Sequence, residues 1–158
     1  MSKISPCLWF NSEAGEAAEF YVSLLPDSRI EHVQKNSVDS PAGKAGSVMV
    51  AEFTLAGQRF MALNGGKSDF TNAVSFKIGC DDQAEVDRLW DALSEGGSVQ
   101  RCGWLKDRYG VSWQIVPNAL PKYLGGSDRA GAQRAMQAMM QMVKFDIAAL
   151  KKAYEGAA

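Results

Sequence analysis

The stretch RCGWLKDRYGVSWQIVP, residues 101–117, holds two of the chain's four tryptophans and a charged turn that leads into an alternating segment. In residues 111–116, Ser112 and Gln114 fall on one side, while Trp113 and Ile115 fall on the other. This period of two predicts a half-buried strand. Its apolar side is suited to packing under helices. Its hydroxyl and amide side is either the wall of a cavity or a solvated outer face, and the alternation alone leaves both open.

The composition excludes several classes of protein. The chain has 158 residues, of which 46% are hydrophobic, and a formal net charge of -1. That charge predicts no attraction to nucleic acid or to an anionic membrane. Cys7, Cys80 and Cys102 form no CxxC pair, which predicts reduced thiols in the cytosol. We see neither the apolar core of a secretory signal nor an apolar run near the roughly 20 residues of a membrane span. We therefore expect a cytoplasmic protein without nucleic-acid or membrane partners.

The segments around this stretch repeat one order of predicted elements. Alternating residues predict strands over residues 4–10, 29–34, 47–55 and 58–63, and again over residues 73–80, 98–102 and twice within 101–117. In each half a helix with acidic residues in its first turn follows the first strand. The pattern GxxFMAL at residues 57–63 also matches GxxWQIV at residues 110–116. We predict two β-α-β-β-β modules, and we expect them to pack together because neither buries both faces of its sheet alone.

Residues 119–158 differ in character and predict a helical extension. A helix that starts at Ser127-Asp128 carries an apolar stripe rich in methionine: Ala132, Ala135, Met136, Met139, Met140 and Val143. A last helix begins at Phe145-Asp146. The stripe either packs on its own domain or forms a dimer contact, and methionine is adaptable filler in both settings.

Five segments together resemble the PhnB-like branch of the vicinal oxygen chelate superfamily, the superfamily of glyoxalase I, bleomycin-resistance proteins and extradiol dioxygenases. They are LWF at residues 8–10, EAAEFY at 16–21, GQRFMALNGG at 57–66, CGWLKDRYG at 102–110 and WQIVP at 113–117. This branch is often labelled "3-demethylubiquinone-9 3-methyltransferase domain". The resemblance implies an α+β fold in which two tandem modules form a curved sheet around a cavity, with C-terminal helices. It also implies a homodimer in which modules can be exchanged between chains.

This resemblance sets the predicted domain boundaries. We expect a glyoxalase/bleomycin-resistance-like domain over residues 1–118, with module one at 1–66 and module two at 70–118. Residues 119–158 form the C-terminal helical extension.

The resemblance also bears on metal binding. In the metal enzymes of the superfamily, His or Glu ligands occupy four inward positions on the first and fourth strands of each module. Carried over to this chain, those positions are Ser5, Met61, Ala73 and Gln114, and the one histidine, His32, lies on a second strand. Serine, methionine and alanine do not complete a divalent site, so we expect no metal and no cofactor. The methyltransferase label lacks the glycine-rich loop and alternating strands of a Rossmann fold.

The alternation assigns candidate site residues to the cavity face. The ligand-binding candidates are Trp9, Arg59, Met61, Lys77, Trp104 and Gln114, and the catalytic candidate is Glu52. Aromatic and thioether walls with a few polar groups are typical of a small-molecule pocket. Glu52, if desolvated, could act as a general base, or it could form a solvated pair with Arg59 at the rim. Trp104 either closes the mouth of the cavity or belongs to the core.

Three functions stay open from the sequence. The first hypothesis is a small-molecule binding protein of the bleomycin-resistance type that lacks the metal-ligand set. The alternative is a metal-independent isomerase- or lyase-like enzyme that uses the cavity carboxylate Glu52. A metal enzyme with unorthodox ligands is the third. The sequence does not name the ligand.

Overall fold

A computed structural model describes residues 2–156, and it divides into two compact units, Met1–Asp69 and Phe70–Ala158. The first unit contains β1 (Cys7–Phe10), α1 (Ala14–Val22), β2 (Arg29–Lys35), β3 (Val48–Leu55) and β4 (Gln58–Asn64). The second contains β5 (Phe76–Cys80), α2 (Gln83–Ser94), β6 (Ser98–Val99), β7 (Trp104–Lys106), β8 (Ser112–Pro117), α3 (Leu120–Leu124), α4 (Arg129–Gln141) and α5 (Ile147–Glu155). No helix in residues 2–156 is long and apolar enough to span a membrane.

Both units have the same sheet topology. The strand order is β1-β4-β3-β2 in the first and β5-β8-β7-β6 in the second. In each sheet the first and last strands of the unit pair in parallel, and the remaining pairs are antiparallel. The predicted repeat of two β-α-β-β-β modules and the α+β class are therefore confirmed, and the described strands form two open mixed sheets without a closed barrel.

The core of the first unit lies between α1 and one face of its sheet. Ala17 and Tyr21 of α1 are fully buried, as is Ala51 on β3. The ring of Phe53 lies 6.3 Å from that of Tyr21 and stacks on Phe60 at 5.4 Å. Because side chains alternate along a strand, this packing leaves the other face of the sheet for Trp9, Glu52, Arg59 and Met61.

The second unit builds its core on α2 and the stretch around β8. The predicted stripe of α2 is buried, at Val86, Leu89, Trp90 and Leu93. The hairpin between β7 and β8 is held by Asp107, which is only 3% exposed. Its Oδ1 accepts hydrogen bonds from the backbone N–H groups of Tyr109 and Val111 at 2.9 and 3.0 Å. Its Oδ2 accepts one from Nε1 of Trp113 at 2.9 Å. The sequence predicts a charged turn here, and the structure shows that one of its charges, Asp107, is buried.

The C-terminal helices pack within the second unit. Phe145, which precedes α5 in the chain, is buried. Its ring packs against Gly103 so closely that a Cβ atom there would overlap it. Ala135 of α4 and Leu150 of α5 are fully buried. Met136 and Met140 are 41% and 46% exposed, so part of the methionine stripe lies at the surface.

Three predicted strands are shorter than expected, and the one predicted over residues 4–10 begins only at Cys7. The strand predicted over residues 73–80 begins at Phe76, where its pairing with β8 starts at Trp113. The strand predicted over 98–102 is only Ser98–Val99. Cys102 has a left-handed φ of 59°, and its N–H donates to the carbonyl of Met142 at 2.9 Å instead of to a strand.

Candidate functional site

The side of the first sheet that faces away from α1 gathers four predicted site residues. We call it the open face of the first sheet, formed by Cys7, Trp9, Val50, Glu52, Thr54, Arg59, Met61 and Leu63. Cross-strand pairs place these side chains in rows. Cys7, Met61 and Glu52 are direct neighbours across β1, β4 and β3. Trp9, Leu63 and Val50 form the next row, and Arg59 and Thr54 a third.

Glu52 and Arg59 form an ion pair on this face. Nη2 of Arg59 lies 3.4 Å from Oε2 of Glu52, and the side chains are 49% and 36% exposed. At this exposure such a pair contributes about 0–1 kcal/mol to stability. The solvated pair that the sequence left as an alternative is therefore present, and it leaves the carboxylate accessible.

Trp9 is both exposed and fixed in place. Its side chain is 45% exposed, while its Nε1 donates a hydrogen bond to the carbonyl of Gly66 at 3.0 Å. The indole ring lies so close to Gly65 that a Cβ atom there would overlap it. Glycine is therefore needed at position 65 for the ring to take this position.

A charged pocket lies at the Arg59 end of the open face. It has a volume of about 400 Å³ and is lined by Asp27, Arg29, Glu31, Thr54, Gly57 and Arg59. We call it the charged pocket. Oε1 of Glu31 accepts a hydrogen bond from Oγ1 of Thr54 at 2.6 Å and lies 2.9 Å from Nη2 of Arg29. The Thr54 hydroxyl, followed by the charges of Arg29 and Arg59, holds the pKa of Glu31 below its usual value.

Sequence reasoning missed most of this pocket. Arg29, Glu31 and Thr54 lie on β2 and β3, and only Arg59 was a candidate. Thr54 shares the alternating side of Glu52, which was a usable signal. The pairing of β2 shifts between Ile30 and His32, and this irregularity hides the position of Glu31 from any simple alternation.

The other three ligand-binding candidates share one row of the second sheet. Lys77, Gln114 and Trp104 are direct neighbours across β5, β8 and β7. Nε2 of Gln114 donates to Oγ of Ser75 at 2.9 Å. Lys77 is exposed, while Gln114 and Trp104 are partly buried. The row corresponds by topology to Cys7, Met61 and Glu52 in the first sheet.

The four positions carried over for metal ligands are Ser5, Met61, Ala73 and Gln114. On the neighbouring first strands, the residues that pair with Met61 and Gln114 are Cys7 and Lys77. Ser5 and Ala73 precede their strands. An ammonium group repels a cation, and a thioether and an amide are poor ligands for a divalent ion. Neither Met61 in the first unit nor Lys77 and Gln114 in the second therefore suits a catalytic metal. Residues 2–156 contain no group of three or more His, Cys, Asp or Glu side chains placed to hold a metal.

The chain is similar to proteins of one family. Residues 2–116 match the family described as 3-demethylubiquinone-9 3-methyltransferase. A PhnB protein from Bacillus cereus that carries the same description is 35% identical, with a TM-score of 0.68 over 73% of this chain and 99% of that one. A protein from Pseudomonas aeruginosa is 28% identical, with a TM-score of 0.62 over 74% of this chain and 98% of that one.

A more distant structure shares the fold alone. A fosfomycin resistance protein from Listeria monocytogenes is 10% identical, with a TM-score of 0.53 over 77% of this chain and 94% of that one. No curated protein matches the sequence. The architecture is that of the glyoxalase/bleomycin-resistance fold.

Proposed function

The chain belongs to the 3-demethylubiquinone-9 3-methyltransferase family, the PhnB-like branch of the vicinal oxygen chelate superfamily, and on that premise we propose that it is a small-molecule binding protein. One observation carries the proposal: Trp9, Met61, Glu52 and Arg59 lie together on the open face of the first sheet. An apolar surface with a few convergent polar groups is the usual composition of a ligand site.

The rigidity of Trp9 supports this proposal. An exposed tryptophan that is free to rotate loses side-chain entropy when it binds a ligand. Here the hydrogen bond to Gly66 and the contact with Gly65 already fix the ring. The cost of ordering is thereby reduced, and an aromatic surface is available for apolar contact.

The proposed binding function requires neither a metal ion nor methyl transfer. The four residues at the superfamily's ligand positions do not suit a divalent ion. Methyl donors that carry a nucleotide are commonly bound by a doubly wound parallel sheet with a glycine-rich loop, and each described sheet here is mixed. The family description is thus a name for the branch and not the reaction we propose.

A metal-independent isomerase or lyase remains the second candidate. The accessible carboxylate of Glu52 beside the guanidinium of Arg59 is the observation that favours it. Such a pair could move a proton on a ligand whose anionic group Arg59 holds. Under this alternative, Glu52→Gln abolishes turnover while ligand binding persists.

We also propose a cytoplasmic homodimer, as the resemblance implies. Light scattering after gel filtration measures the mass directly. A mass near twice 17.1 kDa supports the dimer, and a mass near 17.1 kDa at all concentrations contradicts it.

A thermal-shift screen tests the binding function. Metal-stripped protein is screened against metabolites and antibiotics, alone and with Zn²⁺, Ni²⁺, Mn²⁺ or Fe²⁺. A ligand at 100 times its Kd stabilises by about 2.7 kcal/mol. We expect an organic compound to raise the melting temperature without metal, and Trp9→Ala to remove the effect while the exposed Lys35→Gln retains it. Stabilisation by metal alone would contradict the proposal.

A further inference from the structure

We infer that the charged pocket receives a zwitterionic head group, an ammonium and a carboxylate on one small molecule, while the apolar body of that molecule lies along Met61 toward Trp9. The inference rests on the proposed function, because it names the ligand class for the open face of the first sheet. It adds Arg29, Glu31 and Thr54 to the binding residues. The resulting ligand resembles an α-amino acid with a large apolar side chain.

The pocket wall is built from two turns that are tied together. Asp27 and Ala56 adopt left-handed φ values of 50° and 47°, and Gly57 follows with 79°. The N–H of Gly57 donates to the carbonyl of Asp27 at 3.0 Å, and the N–H of Ala56 donates to Oγ of Ser28 at 2.9 Å. These bonds hold the turn before β2 against the turn between β3 and β4. The charged groups are therefore presented from a fixed backbone.

The charges in the pocket sum to zero. Its lining includes two guanidinium groups, of Arg29 and Arg59, and two carboxylates, of Asp27 and Glu31. A simple anion would be attracted by one pair and repelled by the other, and the same holds for a simple cation. A head group with both charges meets an opposite charge on each side. The balance therefore favours a zwitterion over an ion of either sign.

The pocket also retains unused hydrogen-bonding capacity of both kinds. Glu31 receives both Thr54 and Arg29 at Oε1, which leaves Oε2 available as an acceptor. Arg29 approaches Glu31 through Nη2 alone, and its Nη1 is 3.8 Å from Asp27, too far for a hydrogen bond. A ligand carboxylate can therefore bind the guanidinium fork, and a ligand ammonium can donate to the carboxylate. The lowered pKa of Glu31 keeps this acceptor ionised at neutral pH.

The surface next to the pocket becomes apolar in one direction. Met61 follows Arg59 by two residues on β4 and lies beside Cys7. Leu63 follows by two more and lies beside Trp9. Each step of two residues advances about 7 Å. A thioether therefore lies next to the charged pocket and an indole ring beyond it. This order matches a molecule with a charged head and an apolar body.

Four probes separate the head group from the body. Isothermal titration is carried out with L-phenylalanine, with 3-phenylpropionate, which lacks the ammonium, with phenethylamine, which lacks the carboxylate, and with L-alanine, which lacks the ring. We expect L-phenylalanine to bind at least about tenfold more tightly than each of the others, the usual effect of one charge-assisted hydrogen bond or one buried ring. Equal affinity for phenylalanine and either singly charged analogue would overturn the inference.

Matched variants locate the binding. Arg29→Gln and Glu31→Gln should each weaken the binding of phenylalanine about tenfold. Lys35 is an exposed charge on the same strand, and Lys35→Gln should leave the affinity unchanged. Melting temperatures check that each variant folds. Amide shifts in the NMR spectrum on addition of phenylalanine should concentrate in residues 27–31 and 54–61. Shifts confined elsewhere would overturn the assignment.

The outcomes distinguish this inference from the proposed function. If the library screen finds a ligand that depends on Trp9 but not on Arg29 or Glu31, the ligand class is wrong and the binding function stands. If neither the library nor the four probes bind, both fail.

Discussion

The two units share one topology but present different chemistry on equivalent rows. The row Cys7, Met61 and Glu52 in the first sheet corresponds to Lys77, Gln114 and Trp104 in the second. In the first unit, Glu52 of this row forms an exposed ion pair with Arg59. In the second, Gln114 is engaged by Ser75. The repeat thus fixes where a side chain stands, while its chemistry varies independently.

The two units also stabilise equivalent features by different means. The hairpin between β3 and β4 turns at Ala56-Gly57, both with positive φ, as a two-residue turn of type I′ requires. The hairpin between β7 and β8 is organised by buried Asp107 instead. The start of α1 is capped by Asn64 from β4, whereas Asp82 caps α2 locally. Substituting Asp107, Asn64 and Asp82 one at a time measures how much each contributes to stability.

Thiol labelling should give the largest contrast, between the first strands of the two units. Cys7 is exposed, and Cys80 is fully buried. Desolvation raises the pKa of Cys80 to about 12 and also raises, less strongly, the pKa of Cys7. Because the thiolate is the reactive form, we expect Cys80 to react with an aromatic disulfide at pH 8 about a hundredfold more slowly than Cys7. Mass spectrometry of timed samples measures both, and equal rates would contradict the burial of Cys80.

Replacing Asp107 should produce the largest loss of stability. Asp107→Ala removes three hydrogen bonds and leaves buried donors unsatisfied, so we expect a loss of about 3 kcal/mol. The melting temperature should fall by about 6–12 °C. Asp107→Asn should cost less, because it can keep Oδ1 as an acceptor. Asp91→Ala on the exposed side of α2 is the control and should change little. An unchanged midpoint for Asp107→Ala would show that the hairpin does not need the carboxylate.

Removing the residues that cap the starts of α1 and α2 should cause smaller losses of stability, and the two losses should differ. Oδ1 of Asn64 accepts from the N–H of Ala14 at 2.8 Å, and its Nδ2 donates to the carbonyl of Val48 at 2.9 Å, so Asn64→Ala loses both bonds at a buried site. We expect a loss of about 2 kcal/mol. Asp82→Ala removes one local cap bond, to the N–H of Glu85, and should cost about 1 kcal/mol. Urea titration of both variants measures the difference, and the reverse order would contradict this comparison.

The smallest effect should be the pH dependence of the charged pocket. The pKa of Glu31 is lowered in the folded protein from its ordinary value of 4.5, chiefly by the hydroxyl of Thr54. Its contribution to stability is therefore fully present above that ordinary value and is lost as the pH falls through the lower folded pKa. The melting temperature of Glu31→Gln should lie slightly below that of the parent at pH 7 and converge with it on acidification. If the melting temperatures of the variant and the parent differ by the same amount at every pH down to strong acid, the lowered pKa of Glu31 is contradicted.

Much of the candidate site could be predicted because it follows from alternation. The period of two in β1, β3 and β4 was enough to assign Trp9, Glu52, Arg59 and Met61 to one side, and the structure places them there. The position of Glu31 in the charged pocket was not predictable in this way. Glu31 joins the charged pocket across a shift in strand register, and no local pattern reports that shift.

The sequence by itself determined the order of elements, the repeat and the local cap of α2, where Asp82 and Glu85 are three residues apart. Periodicity and near-neighbour hydrogen bonds are written within a few residues, so they can be read without a structure. Only the tertiary structure decided that Asn64 caps a helix 50 residues earlier, that Asp107 is buried under Trp113, and that Cys102 turns toward Met142. Each of these contacts depends on how distant segments pack, because a polar group finds its partner only after burial has removed water as the alternative.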